Sequence, residues 1–181
     1  MNIVPRLAFS HIGFAVRDLD AMADFYSRVL GFVITDRGGL DTPAGRVDLV
    51  FLSRDPREHH QVVLASGRPP DARYNNINQI SFRVDDVAAL RAMHARIQGE
   101  AVTEIAPVSH GNALSVYFRD PEGNRIELFM DTPWYVDQPL RVPMDMSLSD
   151  DELMRWAETT ARELAGFRPV EEWRSELARR M

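Results

Sequence analysis

The sequence contains no cysteine among its 181 residues. This absence excludes disulfide bonds, zinc held by thiolates and a cysteine nucleophile. Any metal ion must therefore be bound by histidine nitrogen and by oxygen ligands. The length suffices for one well-buried domain, because a chain of this size removes roughly two-thirds of its unfolded surface from water.

Dense clusters of basic residues are also missing, and the formal net charge is −6. Proteins that bind nucleic acid or anionic membranes generally present a basic patch. No apolar run approaches the roughly 18 residues of a membrane span, and residues 1–6 lack a secretory signal pattern. These features predict a cytoplasmic protein that acts on a small molecule, with neither nucleic acid nor membrane as partner.

An internal repeat organises the chain. The segment HIGFAV from His11 aligns with QISFRV from Gln79 at an offset of 68 residues, with apolar residues at alternate positions. This alternation predicts strands. An aspartate-containing turn and a helical pattern follow each strand, and the helices are expected to end near Gly31 and Gly99, where glycine suits a C-cap.

The similarity returns later in each copy, at an offset of 65. Asp55-Pro56 precedes the apolar run Val62-Val63-Leu64, much as Asp120-Pro121 precedes Ile126-Glu127-Leu128. Between helix and last strand there is room for two further strands, carried in part by 47–52 and 115–119. The pattern predicts an α+β fold of paired βαβββ modules.

The modules are predicted at 7–66 and 75–131, forming one integrated domain with a turn-rich linker at 67–70. A mainly helical C-terminal extension is predicted at 132–181, with a capping-box spacing at 149–152 and a second, shorter helix at 171–180. An apolar stripe is expected on its first helix at these positions: Leu153, Trp156, Thr160 and Leu164. The extension is expected to pack against the modules or a partner subunit, and a lid is the alternative.

Repeat-equivalent positions suggest a metal site. Inward positions are predicted for His11 and Gln79 on the two first strands, and for Val62 and Glu127 on the two last strands. Imidazole, amide oxygen and carboxylate can together cover one face of a divalent ion and leave other coordination positions open. Glu127 is the strongest candidate, because a carboxylate between two apolar strand residues is costly unless it is paired or metal-bound.

Three further residues are candidates for proton transfer or substrate contact. His60 lies two residues before Val62 and is predicted to face the same side of the strand, where it can exchange protons. His59 is predicted at the surface. His110, on a loop, and Tyr117, on a strand, are either pocket residues or a turn residue and a core tyrosine.

These residues resemble a known family. HIGFAV from His11, DPEGNRIEL from Asp120 and the repeat itself are similar to the vicinal oxygen chelate superfamily, over roughly residues 7 to 130. That superfamily includes glyoxalase I, fosfomycin-resistance proteins, bleomycin-binding proteins, methylmalonyl-CoA epimerase and type I extradiol dioxygenases. The dioxygenase branch fits best, because extradiol enzymes use three of the four repeat-equivalent ligand positions, and Val62 cannot ligate.

The resemblance implies an oxidoreductase that opens a catechol-like ring with O₂. It implies that His11, Gln79 and Glu127 hold Fe(II), with Mn(II) or another divalent metal as alternatives. His60 would act as base and then acid, while His110 and Tyr117 would hydrogen-bond the reacting groups. Gln79 stands where the dioxygenases have a second histidine, although some glyoxalases use glutamine as a ligand.

Two other functions remain open. One is a glyoxalase-like or epimerase-like lyase or isomerase, which would transfer a proton with the help of a metal. The other is a binding protein that sequesters a small molecule, as bleomycin-resistance proteins do. The resemblance also implies a homodimer.

Overall fold

The computed structural model describes residues 7–43, 45–72 and 76–181. Between residues 73 and 74 the chain divides into two compact units. The predicted start of the second module, residue 75, lies outside the described residues. No helix in the described part of the chain is long and apolar enough to cross a membrane.

The first unit contains one βαβββ module. Its elements are β1 (Ile12–Val16), α1 (Leu19–Asp24) continued by a π-helical turn (Phe25–Val29), β2 (Val33–Thr42), β3 (Gly45–Ser53) and β4 (Val62–Ser66). The strands form a sheet in the order β1-β4-β3-β2, in which β1 and β4 are parallel and the other two pairs are antiparallel. The predicted module is thus confirmed, including a helix that ends before Gly31 at a φ of 75°.

Alternation along the strands builds the core of this unit. Val50, Leu52, Val62 and Leu64 are fully buried, and their strands contact the helix. Successive strand residues point to opposite faces of a sheet. The intervening residues Phe51 and Val63 therefore lie on the other face, which the helix does not cover.

The second unit repeats this plan and extends it. Its module consists of β5 (Ile80–Arg83), α2 (Val87–Ile97), β6 (Thr103–Ser109), β7 (Ala113–Arg119) and β8 (Arg125–Asp131). The sheet order is β10-β6-β7-β8-β5, with β5 and β8 parallel. Asp18 and Asp86, which are equivalent in the repeat, cap α1 and α2 by accepting a hydrogen bond from a backbone N–H.

The C-terminal extension belongs to the second unit. It contains β9 (Trp134–Tyr135), β10 (Val142–Pro143), α3 (Asp150–Arg162), β11 (Arg168–Pro169) and α4 (Val170–Ala178). β10 pairs with β6 and so adds an edge strand to the module's own sheet. The predicted helices and the Ser149–Glu152 capping box are confirmed, and the extension packs on the module.

The predicted stripe on α3 is partly wrong. Leu153, Ala157 and Ala161 are buried at a spacing of four residues, whereas Trp156 and Thr160 are only half-buried. Small alanine side chains fit the inner face of the helix, and bulkier residues lie at its margin. Arg91 of α2 fixes the start of α3 by donating hydrogen bonds to Asp150 (2.8 Å) and to the Leu148 carbonyl (2.6 Å).

Candidate functional site

Strand register corrects one predicted equivalence. Gly13 lies opposite Val63 in the first unit, and Ser81 lies opposite Glu127 in the second. Val63, rather than Val62, is therefore the counterpart of Glu127. The segment between the Asp-Pro turn and the last strand is one residue shorter in the second unit, and a shift of one residue moves a side chain to the other face. Val62 and Val63 both lack a donor atom, so the position equivalent to Glu127 provides no metal ligand in either alignment.

The helix-free face of the second sheet carries a polar cluster. Glu127 and Tyr117 are directly opposite on β8 and β7, and Ser81 is opposite Glu127 on β5. Ser115 lies two residues from Tyr117 and so shares its face. Glu127 is 8% exposed and Ser115 is fully buried. Strand alternation thus brings these four side chains together.

Hydrogen-bond donors surround the Glu127 carboxylate. Ser81 Oγ donates to Oε2 (2.5 Å), Ser115 Oγ donates to Oε1 (2.8 Å), and Gln79 Nε2 donates to Oε2 (3.1 Å). The nearest group that can become cationic is His110, whose Nε2 lies 3.8 Å from Oε1. Among the described residues no arginine forms an ion pair with Glu127, so its charge is met by neutral donors.

A histidine–tyrosine pair borders this carboxylate. His110 Nδ1 lies 2.5 Å from the Leu140 carbonyl, and its Nε2 lies 3.0 Å from the Tyr117 hydroxyl. Because a carbonyl can only accept, Nδ1 carries the proton, and in the neutral ring Nε2 accepts from Tyr117. Burial first, and then the neighbouring Glu127 carboxylate, raises the pKa of Tyr117 to about 12. The phenol therefore remains a proton donor at neutral pH.

The extension shapes the cleft beside this pair. An open cleft of about 510 Å³ is lined by these residues: His110, Gln138, Pro139, Leu140 and Arg141. Gln138 Nε2 donates to the His110 carbonyl (2.7 Å), which fixes the loop that carries the histidine. Arg125 and Arg141 lie 4.5 and 5.9 Å from the centre of the Tyr117 ring. Residues 138–141 thus help to orient a predicted site residue.

The first unit brings a different set of predicted residues together. The rings of His11 and His60 are 4.3 Å apart, and His60 also contacts Phe51 at 5.2 Å. Phe51 pairs with Val63 across the strands, so His60 lies on the Val63 face and not, as predicted, on the Val62 face. The prediction failed because His60 precedes β4, where strand alternation does not hold. Burial, with smaller contributions from His11 and His59, lowers the pKa of His60.

The structure thus assembles the predicted residues within each unit. Gln79, Glu127, His110 and Tyr117 lie together in the second, while His11 and His60 lie together in the first. Within the described ranges, no group of three or more His, Asp or Glu side chains is arranged to hold a metal. The predicted ligand trio contains only two residues of those types, so it stays a prediction.

The chemistry of the Glu127 environment fits a divalent cation. A buried carboxylate is stabilised when it is paired or metal-bound, and Glu127 has hydrogen bonds but no arginine partner in the part of the chain that the structure describes. Rotating the Gln79 amide by half a turn would present its oxygen in place of its nitrogen, and these two atoms are nearly equivalent in shape. The second unit can thus offer a carboxylate and an amide oxygen, which hard divalent metals accept.

Sequence reasoning missed several residues of this site. Ser81 and Ser115 follow the same alternation that placed Gln79 and Tyr117, so their parity alone could have revealed them. Gln138 and Leu140 carried no such signal, because they lie outside the repeat and meet His110 only through the folding of the extension.

Comparison with known proteins identifies the family. The model of the Glyoxalase/Bleomycin resistance protein/Dioxygenase superfamily matches residues 8–128. The chain belongs to this superfamily. The match spans both βαβββ modules and ends within β8, so the whole C-terminal extension lies beyond it.

Several relatives within the superfamily are named as enzymes. The chain is 30% identical to biphenyl-2,3-diol 1,2-dioxygenase 3 of Rhodococcus globerulus, covering 72% of this chain and 66% of that protein. It is 24% identical to biphenyl-2,3-diol 1,2-dioxygenase 2 of the same organism, covering 80% of each chain. It is also 30% identical to a lactoylglutathione lyase of Neisseria meningitidis, covering 65% and 86% respectively.

Solved structures support the fold. A glyoxylase/bleomycin resistance protein/dioxygenase domain from Frankia sp. EAN1pec aligns with a TM-score of 0.59 at 21% identity, covering 71% of this chain and 94% of that domain. The fosfomycin resistance protein FosX of Mesorhizobium loti aligns with a TM-score of 0.53 at 21% identity, covering 72% and 94%. At these identities the likeness concerns the fold alone.

Proposed function

We propose that this protein is a metal-dependent extradiol-type dioxygenase, which opens a catechol-like ring beside its two hydroxyl groups with O₂. The observation that carries the proposal is the Glu127 cluster of the second unit. A buried carboxylate, with no arginine partner among residues 7–43, 45–72 and 76–181, lies there beside a histidine–tyrosine pair that can donate and accept protons. Metal binding and proton transfer are both within the chemistry of these groups.

Glu127 and Gln79 would be metal ligands from the second unit, and the sequence predicts His11 as a ligand from the first. When bound, a divalent metal, Fe(II) in this proposal, supplies a common point of attachment for the diol oxygens and O₂. Both atoms of O₂ end in the product, and the broken carbon–carbon bond lies next to the diol.

The remaining residues would handle protons. A neutral imidazole at His60 can accept a hydroxyl proton from the diol and return it to the ring-opened product. The phenol of Tyr117 stays protonated, so its O–H would turn from His110 Nε2 to an oxygen atom that gains negative charge. His110 would add a second hydrogen bond through Nε2 once that nitrogen has taken up a proton.

The lack of a fourth ligand favours the dioxygenase over the lyase. Both activities occur among the relatives, since two are named biphenyl-2,3-diol 1,2-dioxygenases and others are named lactoylglutathione lyases. The resemblance assigns a fourth metal ligand to glyoxalases, and Val63 occupies the corresponding position here. A side chain without a donor atom cannot complete a four-ligand set.

Anaerobic reconstitution with Fe(II) tests the proposal. We expect one iron per chain by elemental analysis and catechol-dependent oxygen uptake with a panel of substituted catechols. The Glu127→Ala variant should lose most bound iron, and His60→Ala should keep the iron and lose turnover. Glu163→Ala, at an exposed acid after α3, is the matched control and should behave like the wild type.

Other outcomes would redirect the assignment. Bound metal with no oxygen uptake, but with isomerisation of a hemithioacetal substrate, would replace the dioxygenase by a glyoxalase-like lyase. Absence of metal, together with tight binding of an aromatic ligand, would leave a binding protein of the bleomycin-resistance kind.

A further inference from the structure

An aspartate and two histidines form a hydrogen-bonded series in the first unit. His59 Nε2 lies 3.3 Å from Asp36 Oδ2, and His59 Nδ1 lies 2.9 Å from His60 Nδ1. The two imidazole rings are perpendicular, with centroids 5.2 Å apart, and both contact the Phe51 ring. His59 is exposed, as the sequence predicts, yet it is held between two specific partners.

The chemistry of these groups fixes the direction of each hydrogen bond. The Asp36 carboxylate can only accept, so His59 Nε2 carries a proton. A neutral His59 then has a bare Nδ1, which can only accept, so the proton of the second hydrogen bond belongs to His60 Nδ1. A neutral His60 with a proton on Nδ1 has a bare Nε2. No described residue hydrogen-bonds to that nitrogen, so it stays available as a base.

A β-bulge places the aspartate on the correct face. Ile34 pairs with Leu52, and the next pair along β2 and β3 is Asp36 with Phe51, so Thr35 is an extra residue. In a regular strand without the bulge, Thr35 would lie opposite Phe51, and Asp36 would point to the face covered by the helix. Bulges commonly re-aim a side chain beside a functional site. Here the bulge directs the carboxylate towards the histidines.

We infer that Asp36 and His59 are positioning residues that hold His60 in its Nδ1-protonated tautomer, with Nε2 free to accept a proton. The role of His60 as base rests on the proposed function, but its tautomer does not. The arrangement follows the logic of catalytic triads, in which a carboxylate orients an imidazole and selects its tautomer. Here a second imidazole lies between the carboxylate and the base.

NMR of the full-length chain with ¹⁵N-labelled histidine tests the tautomer directly. At pH 8, above the ordinary histidine pKa of about 6.5, and without added metal, long-range ¹H–¹⁵N spectra distinguish a protonated from a bare ring nitrogen. The five histidines give few signals, and His60→Gln identifies those of His60. We expect a bare Nε2 in the wild type. Loss of this preference is expected in Asp36→Ala and in His59→Phe.

Asp41→Ala is the matched control, because Asp41 is an exposed aspartate on the same strand, beyond the bulge. It should leave the His60 signals unchanged. A protonated Nε2 in the wild type, or a His60 tautomer unaffected by Asp36→Ala, would overturn the inference. Neither result depends on catechol turnover. Failure of this inference can therefore be distinguished from failure of the dioxygenase proposal.

Kinetics add a second readout if the wild type turns over a catechol. Asp36→Ala and His59→Phe should lower kcat about tenfold, as for other residues that orient a functional group, with little change in KM. A change confined to KM would contradict a role in orienting the base. Asp41→Ala should keep both constants.

Discussion

The two units have the same βαβββ order and equivalent strand pairing, but the helix-free faces of their sheets differ in chemistry. The strand register within each sheet makes the following residues of the two units equivalent: Gly13 and Ser81, Leu49 and Ser115, Phe51 and Tyr117, and Val63 and Glu127. The first set is apolar and the second is polar. A duplicated scaffold has thus kept its fold while only the second copy has a buried carboxylate in place of the valine.

The difference between the two faces involves several residues that depend on one another, not a single substitution. A buried carboxylate needs hydrogen-bond donors, and Ser81 and Ser115 supply them in the second unit. Glycine and leucine at the equivalent positions of the first unit have no side-chain donor, so valine suits the position opposite them. In the second unit the buried carboxylate has its donors, and in the first unit the equivalent side chains need none.

The largest expected effect comes from making the second unit like the first at one position. Glu127→Val should abolish metal binding, because it removes the only carboxylate of the cluster. It should also lower the free energy of unfolding by about 1–3 kcal/mol, since buried donors lose their acceptor. Elemental analysis and urea unfolding measure the two effects.

Val63→Ala is the matched change in the first unit. It should cost roughly 1 kcal/mol for the lost packing of a half-buried side chain and leave the metal content unchanged. Equal loss of metal from both variants would contradict the asymmetry between the units.

Much of the fold could be predicted from the sequence because alternation and the repeat are local signals. β1, β5 and both module helices follow directly from apolar spacing. The equivalence of Val62 with Glu127 could not be read reliably, because the turn and the strand repeat at offsets that differ by one residue. A single residue reverses the face of a strand.

Other parts of the candidate site depend on irregular structure. Asp36 meets His59 only because of a bulge, and a bulge leaves no periodic signal in the sequence. β10 is two residues long, too short for alternation to be visible, yet it anchors the extension that positions His110. Sequence reasoning therefore named His60 and His110 as candidates and missed the residues that orient them.

A second prediction concerns a feature that both units share. Asp18→Ala and Asp86→Ala each remove the side-chain cap of a module helix, and each should lower the free energy of unfolding by about 1 kcal/mol. Denaturant unfolding measures both effects. Asp41→Ala is the control, because Asp41 lies on a strand and caps neither module helix. A large cost in only one variant would show that the repeat does not extend to the energetics of its helices.

The smallest expected effect is a difference in ionisation between the repeat-equivalent Asp55 and Asp120. Hydrogen bonds from Arg57 lower the pKa of Asp55 to about 2, whereas burial raises the pKa of Asp120 above its ordinary 3.8. Asp55 therefore contributes stability above its unfolded-state pKa, and this is lost as pH falls towards 2. The contribution of Asp120 depends on pH in the opposite direction: it is full below the unfolded-state pKa and is lost as pH rises through the folded-state pKa.

Carboxyl ¹³C NMR titration of these two aspartates should show their midpoints on opposite sides of 3.8. Arg57→Gln should raise only that of Asp55, and coincident midpoints in the wild type would contradict the assignment.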